Sequence, residues 1–310
     1  MSDTRTYDVV GFGIATVDHL GVVESFPRED TKARLTTYTQ QGGGTSATPL
    51  VACARLGLKT AYLGRLGKDP TSRFMCDDFG REGVDWSHAI VDESYAPPVA
   101  MILVNPETNS RTIVWYKPVE EEMPAGAISP DLVTDARVLY LDAHEGPASV
   151  AAAKVAKHTG TMVVVDADNL TEGMEGVLPN ADVIIGSAHF ARLKYDADPE
   201  PAARMLFYEF GVLSAITAGV EGSYVVTEDE SFHQPAFPVD VVDTTGAGDV
   251  YHGGFVVGLL KGWSTRECAV FASATAAIKC RKLGGRAGIP TFDQVAAFLS
   301  ERGETGPWTA

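Results

Sequence analysis

Short apolar runs alternate with stretches of helical spacing along most of this chain. YDVVGFG, Tyr7 to Gly13, predicts a short buried strand, and ATPLVACARLG, Ala47 to Gly57, predicts a helix from its apolar spacing and closing glycine. TAYLGRLG, Thr60 to Gly67, predicts the next strand. From Val138 onward the alternation becomes regular: RVLYLDA, TMVVVDAD, ADVIIGS and VLSAITAG predict strands separated by helices, and EGSYVVTEDESFHQPAF predicts a hairpin. Strands without a polar face predict a mostly parallel sheet covered by helices on both sides, an α/β fold.

Two segments break the pattern. HLGVVESFP with ARLTTYTQ, and PPVAMILVNPETNSRTIVWY with a hairpin signal at PETNS, are rich in β-branched residues and turn signals. They predict a small separate sheet, a lid built from about residues 14–40 and 95–117 on a single α/β domain spanning 1–310. Structured insertions of this kind close over ligand sites at the carboxyl ends of the main strands. The tail ERGETGPWTA predicts a frayed end.

Composition narrows the function classes. With 45% hydrophobic and 21% charged residues, the 310-residue chain has the balance of an ordinary globular protein. Its formal net charge of -16 argues against nucleic acid or an anionic membrane as partner, so any small anionic ligand needs a local device to hold it. The four cysteines lack CxxC spacing and signal neither zinc nor a disulfide framework. MSDTRTYDVVGFG lacks leader character and no apolar run reaches membrane-spanning length, which predicts a cytoplasmic location.

Three glycine-containing stretches invite a nucleotide reading. GFGIATVD has Thr16 where a dinucleotide fingerprint needs its third glycine, and GRLGKDP lacks the Ser or Thr of a phosphate loop. DTTGAGD, Asp243 to Asp249, precedes a predicted helix that carries Gly253, Gly254 and Gly258. Gly246, Ala247 and Gly248 would open that helix, whose unpaired amides and positive dipole end suit an anion approaching bare backbone. Asp249 in the first turn would stand beside that anion, placed to accept a proton from an attacking hydroxyl. The helix end should lower its pKa further below the usual value of about 4, making its role positional. A capped helix start with two solvated carboxylates is the competing reading.

DTTGAGD with its glycine-rich helix resembles the C-terminal signature of the ribokinase-like, PfkB-type carbohydrate kinases, and the likeness extends over most of the chain. VVGFGIATVDHL resembles the family's opening strand, which implies that Asp18 binds sugar hydroxyls. QGGGTSATPLVACARLG resembles its first signature, implying sugar contacts from Gly43 and Gly44, with Thr48 at the position of the family's asparagine. ITAGVEGSYVV resembles the nucleotide turn, which implies that Thr217, Gly219 and Gly222 lie near the ATP phosphates. By the same likeness Asp249 is the base, Gly246 to Gly248 form the anion hole, and Asp243 with Thr245 helps hold a monovalent cation such as K+. Where the family has an asparagine followed three residues later by a glutamate, this chain reads Ser187, Ala188, His189 and Phe190. Ser187 is carried over to the nucleotide side; the glutamate's role is not. Mg2+ remains expected, because a triphosphate needs charge neutralisation in an acidic protein.

The implied function is an ATP-dependent kinase of a sugar's primary hydroxyl. HQPAFPVDVVDTTGAGDVYHG and KCRKLGGRAGIP resemble bacterial kinases of 6-deoxy-6-sulfofructose, and Lys32 fits a lysine facing the sulfonate. Trp115 and His144, however, stand where a polar residue and an arginine are expected. A neutral ribose or ketohexose is therefore the expected substrate. A sulfofructose kinase, a nucleoside kinase of the same superfamily and a non-catalytic sugar-binding regulator are the alternatives. Trp115 and Tyr116 would either line the sugar pocket or anchor a homodimer through the lid. Asp166 and Asp168 end a strand on the ligand side or are solvated there, and His19, His144 and His189 lie near strand ends.

Overall fold

The protein is described by a computed structural model over residues 5–105, 107 and 110–309. Among these residues the strands are β1 (Tyr7–Phe12), β2 (Thr16–Val22), β3 (Thr37–Gly43), β4 (Thr60–Tyr62), β5 (Arg65–Leu66), β6 (Val84–Asp85), β7 (Ile90–Val91), β8 (Val99–Asn105), β9 (Ser110–Tyr116), β10 (Ala136–Leu141), β11 (Met162–Ala167), β12 (Val183–Ser187), β13 (Leu213–Thr217), β14 (Ser223–Val226) and β15 (Ser231–Gln234). The α-helices are α1 (Ala47–Arg55), α2 (Pro70–Glu82), α3 (Pro130–Thr134), α4 (Gly146–Thr159), α5 (Glu172–Val177), α6 (Ala188–Tyr195), α7 (Pro199–Phe210), α8 (Ala247–Leu260), α9 (Thr265–Lys279) and α10 (Phe292–Ser300).

Nine strands form the main sheet in the order β15-β14-β13-β12-β11-β10-β1-β4-β6. Pairing is parallel from β6 through β13 and antiparallel only in β13-β14-β15. The absence of a polar face in β1 has a direct structural reading. Val10 and Phe12 enter one core with residues of α4 and α7, while Val9 enters the opposite core with Leu50 of α1 and Phe255 of α8. Successive side chains alternate faces, and both faces are covered.

The stretch from Thr60 to Gly67 does not form one strand. β4 stays in the main sheet, whereas β5 pairs with β7 in a separate two-stranded sheet. The break lies at Gly64, where a Cβ would sit 2.2 Å from Tyr62 Oη and 2.4 Å from Gly13 O. The tail also departs from its expectation. Trp308 is buried, with its ring 5.8 Å from Trp263 and 6.3 Å from Phe271, so aromatic packing ties the end down.

The two β-rich segments meet as a four-stranded sheet ordered β3-β2-β8-β9. β3 runs on to Gly43 rather than stopping at residue 40. Part of the PETNS signal lies outside the described residues, but the flanking strands pair antiparallel from Asn105 opposite Ser110. The registers place Asp18, Leu20, Gln41, Ala100, Ile102 and Trp115 on one face, with His19, Tyr38, Met101 and Val114 on the other. On the first face Leu20, Ala100, Ile102 and Val104 form a small core against Leu283. Each of its larger aliphatic side chains contributes about 1.5–3 kcal/mol, enough to seat the sheet over the body.

Candidate active site

Parallel pairing delivers the residues that follow β1, β10 and β11, and the last residues of β12 and β13, to one edge of the main sheet. Asp142, just past β10, ties that edge together: its Oδ2 accepts from Ile14 N and Thr45 Oγ1, both at 2.8 Å, and its Oδ1 from His144 N at 3.0 Å. Thr45, Asp142, His144, Asp166 and Asp168 line a cleft beside it. The cleft is acidic, with three aspartates in its lining, and Thr45 in that lining follows the end of β3 by two residues.

Asp18 comes to this region from β2. It is buried and accepts from Thr16 Oγ1 at 2.8 Å; burial raises its pKa, opposed by that hydrogen bond and by Arg286. Gly43 lies against it. A Cβ on Gly43 would sit 2.2 Å from Asp18 Oδ2, and one on Gly44, whose φ is +103°, would sit 2.4 Å from Ile14 O. Trp115 shares this face of the sheet, with its side chain largely exposed. Thr48 is buried in α1 with its amide bonded to Gly44 O, and Lys32 is exposed in the loop between β2 and β3. Gly43→Ala should displace the Asp18 carboxylate. With Asp18 as the sugar ligand that the resemblance implies, we expect the sugar KM to rise about tenfold, the loss of one charged hydrogen bond of about 1.5 kcal/mol, with the KM for ATP unchanged in steady-state assays.

A second group of residues holds this end in place. Arg286 is buried; its Nη2 donates to Gly43 O at 3.0 Å and its Nη1 to the buried Asp78. Gln41 on β3 accepts from the amides of Arg286 and Ala287 at 3.2 Å and donates to Leu283 O at 2.9 Å. The loop GGRAGIP therefore clamps the end of β3.

At the other end, Gly246 caps α8 with φ +71°, and a Cβ there would sit 3.0 Å from Gly285 Cα. The Ala247 amide donates back to Thr244 O at 3.1 Å, closing the turn. Ala247 N is thus engaged within the turn and is not free to serve the anion hole that the resemblance implies. The small-residue face lets the helix sit close to its neighbours. A Cβ on Gly253 would reach Ala52 at 2.6 Å, and one on Gly258 would reach Cys268 at 2.7 Å.

Asp249 does not have the lowered pKa expected of a helix start. Its pKa is pushed up to about 8 by burial and then by Asp166, Asp168 and Asp18, with His252 opposing. Behind it, Asp166 Oδ2 accepts from Tyr140 Oη at 2.8 Å and lies 3.2 Å from His252 Nδ1, which is itself 2.8 Å from Tyr140 Oη. Burial disfavours the His252 cation, but Asp166 and Asp249 outweigh it and raise the imidazole pKa. Asp166 is thus a buried member of this cluster and not a solvated strand end. Asp243 is buried as well: its Oδ1 accepts from Thr245 N and Oγ1, and its Oδ2 from Gly284 N at 2.7 Å.

A profile described as pfkB family carbohydrate kinase matches residues 7–292. The chain belongs to the pfkB family of carbohydrate kinases. It is 28% identical over 320 residues to a 5-dehydro-2-deoxygluconokinase of Shouchella clausii (strain KSM-K16), covering 96% of this chain and 97% of the relative. It is 28% identical over 303 residues to a ribokinase of Haemophilus influenzae, covering 93% and 96%. A solved structure of Arabidopsis thaliana ribokinase, complexed with ribose and ATP, superposes with a TM-score of 0.81 at 23% identity, over 94% of this chain and 98% of that one. The fold is ribokinase-like, and the activity is that of a phosphotransferase acting on a sugar hydroxyl.

In this pfkB kinase Thr217, expected on the nucleotide side, ends β13 and donates to Gly186 O at 3.2 Å. Gly219 and Gly222 both have positive φ, and a Cβ on Gly222 would sit 2.0 Å from Gln234 O, so that glycine is needed for the turn itself. Ser187 Oγ caps α6 by accepting from Phe190 N at 3.1 Å, while His189 is exposed. Among the described residues no group of three or more His, Cys, Asp or Glu side chains is placed to hold a metal by itself. Mg2+ would therefore need oxygens of the phosphates themselves to complete its shell. From the lid, Arg111 reaches across to Thr244, donating to its Oγ1 at 2.7 Å. Arg111, Arg286 and the Tyr140–Asp166–His252 group carry no local motif; of them Arg286 sits in KCRKLGGRAGIP and His252 in HQPAFPVDVVDTTGAGDVYHG, the two stretches that carry the resemblance.

Proposed function

We propose that this pfkB kinase transfers the terminal phosphoryl of ATP to the primary hydroxyl of a small neutral sugar of the ribose or ketohexose class. The observation that supports this is the placement of two carboxylates, Asp18 on the lid strand β2 and Asp249 in the first turn of α8, with the Asp18 charge among those that raise the Asp249 pKa. Asp18 holds sugar hydroxyls beside Gly43 and Gly44, under the Trp115 face of the lid. Asp249 aligns the attacking hydroxyl and takes its proton. The amides of Gly246 and Gly248 face the transferring group, where fixed dipoles stabilise developing charge. ATP lies along the turn from Thr217 to Gly222. Mg2+, which no cluster of the described residues would hold by itself, would supply charge neutralisation to the phosphates.

Asp142, Asp166 and Asp168 along the cleft favour hydroxyl donors over an anionic group, which supports a neutral sugar. A second reading, an acidic sugar, is supported by Arg111 at the lid tip and by the name 5-dehydro-2-deoxygluconokinase among the relatives. Coupled ADP detection across ribose, fructose, 6-deoxy-6-sulfofructose, 5-dehydro-2-deoxygluconate and adenosine decides between them. ADP formation with ribose or fructose supports the first reading; a response confined to the anionic sugars or to adenosine overturns it.

The outer face of the lid leaves Tyr38, Met101, Val114 and Tyr116 exposed, an apolar surface suited to a homodimer through the lid. Sedimentation should give a dimer that Val114→Glu converts to monomers. A wild-type monomer at micromolar concentration contradicts this assignment.

A further inference from the structure

Lys279 has no exposed surface, although a buried ammonium costs several kcal/mol unless acceptors and opposite charges surround it. It is the last residue of α9, and its Nζ donates at 2.9 Å to the backbone carbonyl of Asp243. The same helix end carries the start of the phosphoryl turn: Val242 N and Asp243 N both donate to Cys280 O, at 2.8 and 3.2 Å. The far side is sealed by the loop after α9. Gly284 N bonds Asp243 Oδ2, and a Cβ on Gly288 would sit 2.2 Å from Lys279 O. A lysine amino group is thus placed directly behind the turn that opens α8. Burial lowers its pKa, as does Arg111, opposed by Cys280, Asp243 and Asp249.

This is the place where Asp243 and Thr245 were expected to hold a monovalent cation, and the residues do not fit one. An alkali ion needs a shell of oxygens to replace its water. Here the Asp243 carbonyl is engaged by the ammonium, and its carboxylate accepts from three donors, Thr245 N and Oγ1 of its own loop and Gly284 N of the loop after α9. A second cation in contact with those oxygens would also be repelled by the lysine.

We infer that Lys279 stands in for the monovalent cation, so that the phosphoryl turn of this kinase is held by an internal ammonium and works without K+. It rests on the kinase reading above only for its activity arm. Lys279 is a positioning residue: its charge fixes the Asp243 carbonyl and supports the potential at the amides of Gly246 and Gly248, without touching the reactants. A tethered cation does not dissociate, so neither stability nor turnover should depend on the alkali ion present.

The test compares KCl, NaCl and N-methylglucamine chloride at equal ionic strength. For the wild type, the melting temperature and the sugar-dependent rate should be unchanged among the three salts. Lys279→Ala should lose about 10²-fold in kcat in N-methylglucamine and regain activity and melting temperature in KCl or ammonium chloride, because a specific ion stabilises only the state that binds it. Lys279→Met fills the space without charge and should stay impaired in every salt. A wild type that is activated or thermally stabilised specifically by K+ overturns the inference, as does Lys279→Met with wild-type kcat. If Lys279→Ala does not fold, the wild-type salt comparison still decides. Melting needs no substrate, so absence of kinase activity on every sugar counts against the functional reading and leaves the thermal arm to judge the lysine.

Discussion

Asp249→Asn is expected to lower kcat by about 10²–10⁴-fold while leaving the Kd for ATP near its wild-type value. The amide has the same shape and keeps α8 capped by Gly246, so the backbone amides at the head of the helix remain in place. What disappears is the group that, in the proposed mechanism, accepts the hydroxyl's proton. The same residue sets the pH dependence. Because the Asp249 pKa is pushed up to about 8, its carboxyl is protonated below that pH and unable to act as a base. The value of kcat/KM should therefore rise with pH and level off above about 8, falling about tenfold per unit on the acid side. Asp249→Asn should lose that limb together with the rate. Isothermal titration with ATP and a pH series for both proteins give the two readouts, and an Asn variant that keeps either the rate or the limb removes Asp249 from the base's role.

Arg286→Met should be the most damaging substitution for stability, about 3–5 kcal/mol by urea denaturation. Its guanidinium pairs with Asp78 in the interior, and the arginine's removal leaves a carboxylate desolvated with only Arg81 beside it at 2.8 Å. Against a usual net stability of about 5–15 kcal/mol, that loss is a large share. The pair also reaches the sugar end, since Arg286 Nη2 holds the Gly43 carbonyl. Replacing both partners, Arg286→Met with Asp78→Leu, should recover much of the stability by removing the unpaired charge, yet still weaken sugar binding. A double variant as unstable as the single one would show that packing of the arginine stem, and not the buried charge, is what matters.

The layout was legible where the physics is local. Strands such as VVV at 163–165 are apolar on both sides because they are covered on both sides, and the lid strands read differently because one of their faces meets solvent. Asp249 and Gly246 were visible because a turn, a glycine with positive φ and a helix start lie within a few residues of each other. The remainder depends on residues far apart in the chain. Arg286 and Asp78 are separated by 208 positions, Tyr140 and His252 by 112, and no periodicity connects them. The upward shift at Asp249 arises from Asp166, Asp168 and Asp18, which only the folded sheet assembles; a local reading saw the helix dipole alone. Trp308 was hidden for the same reason, since its partners Trp263 and Phe271 belong to the α8–α9 connection and to α9.

Phosphorus NMR of a reaction containing ATP, Mg2+ and ribose or fructose tests the central claim most directly. The account predicts a sugar phosphomonoester formed in equal amount with ADP, and neither with Asp249→Asn. ADP and inorganic phosphate released regardless of sugar, or ATP left intact with every sugar offered, would contradict it.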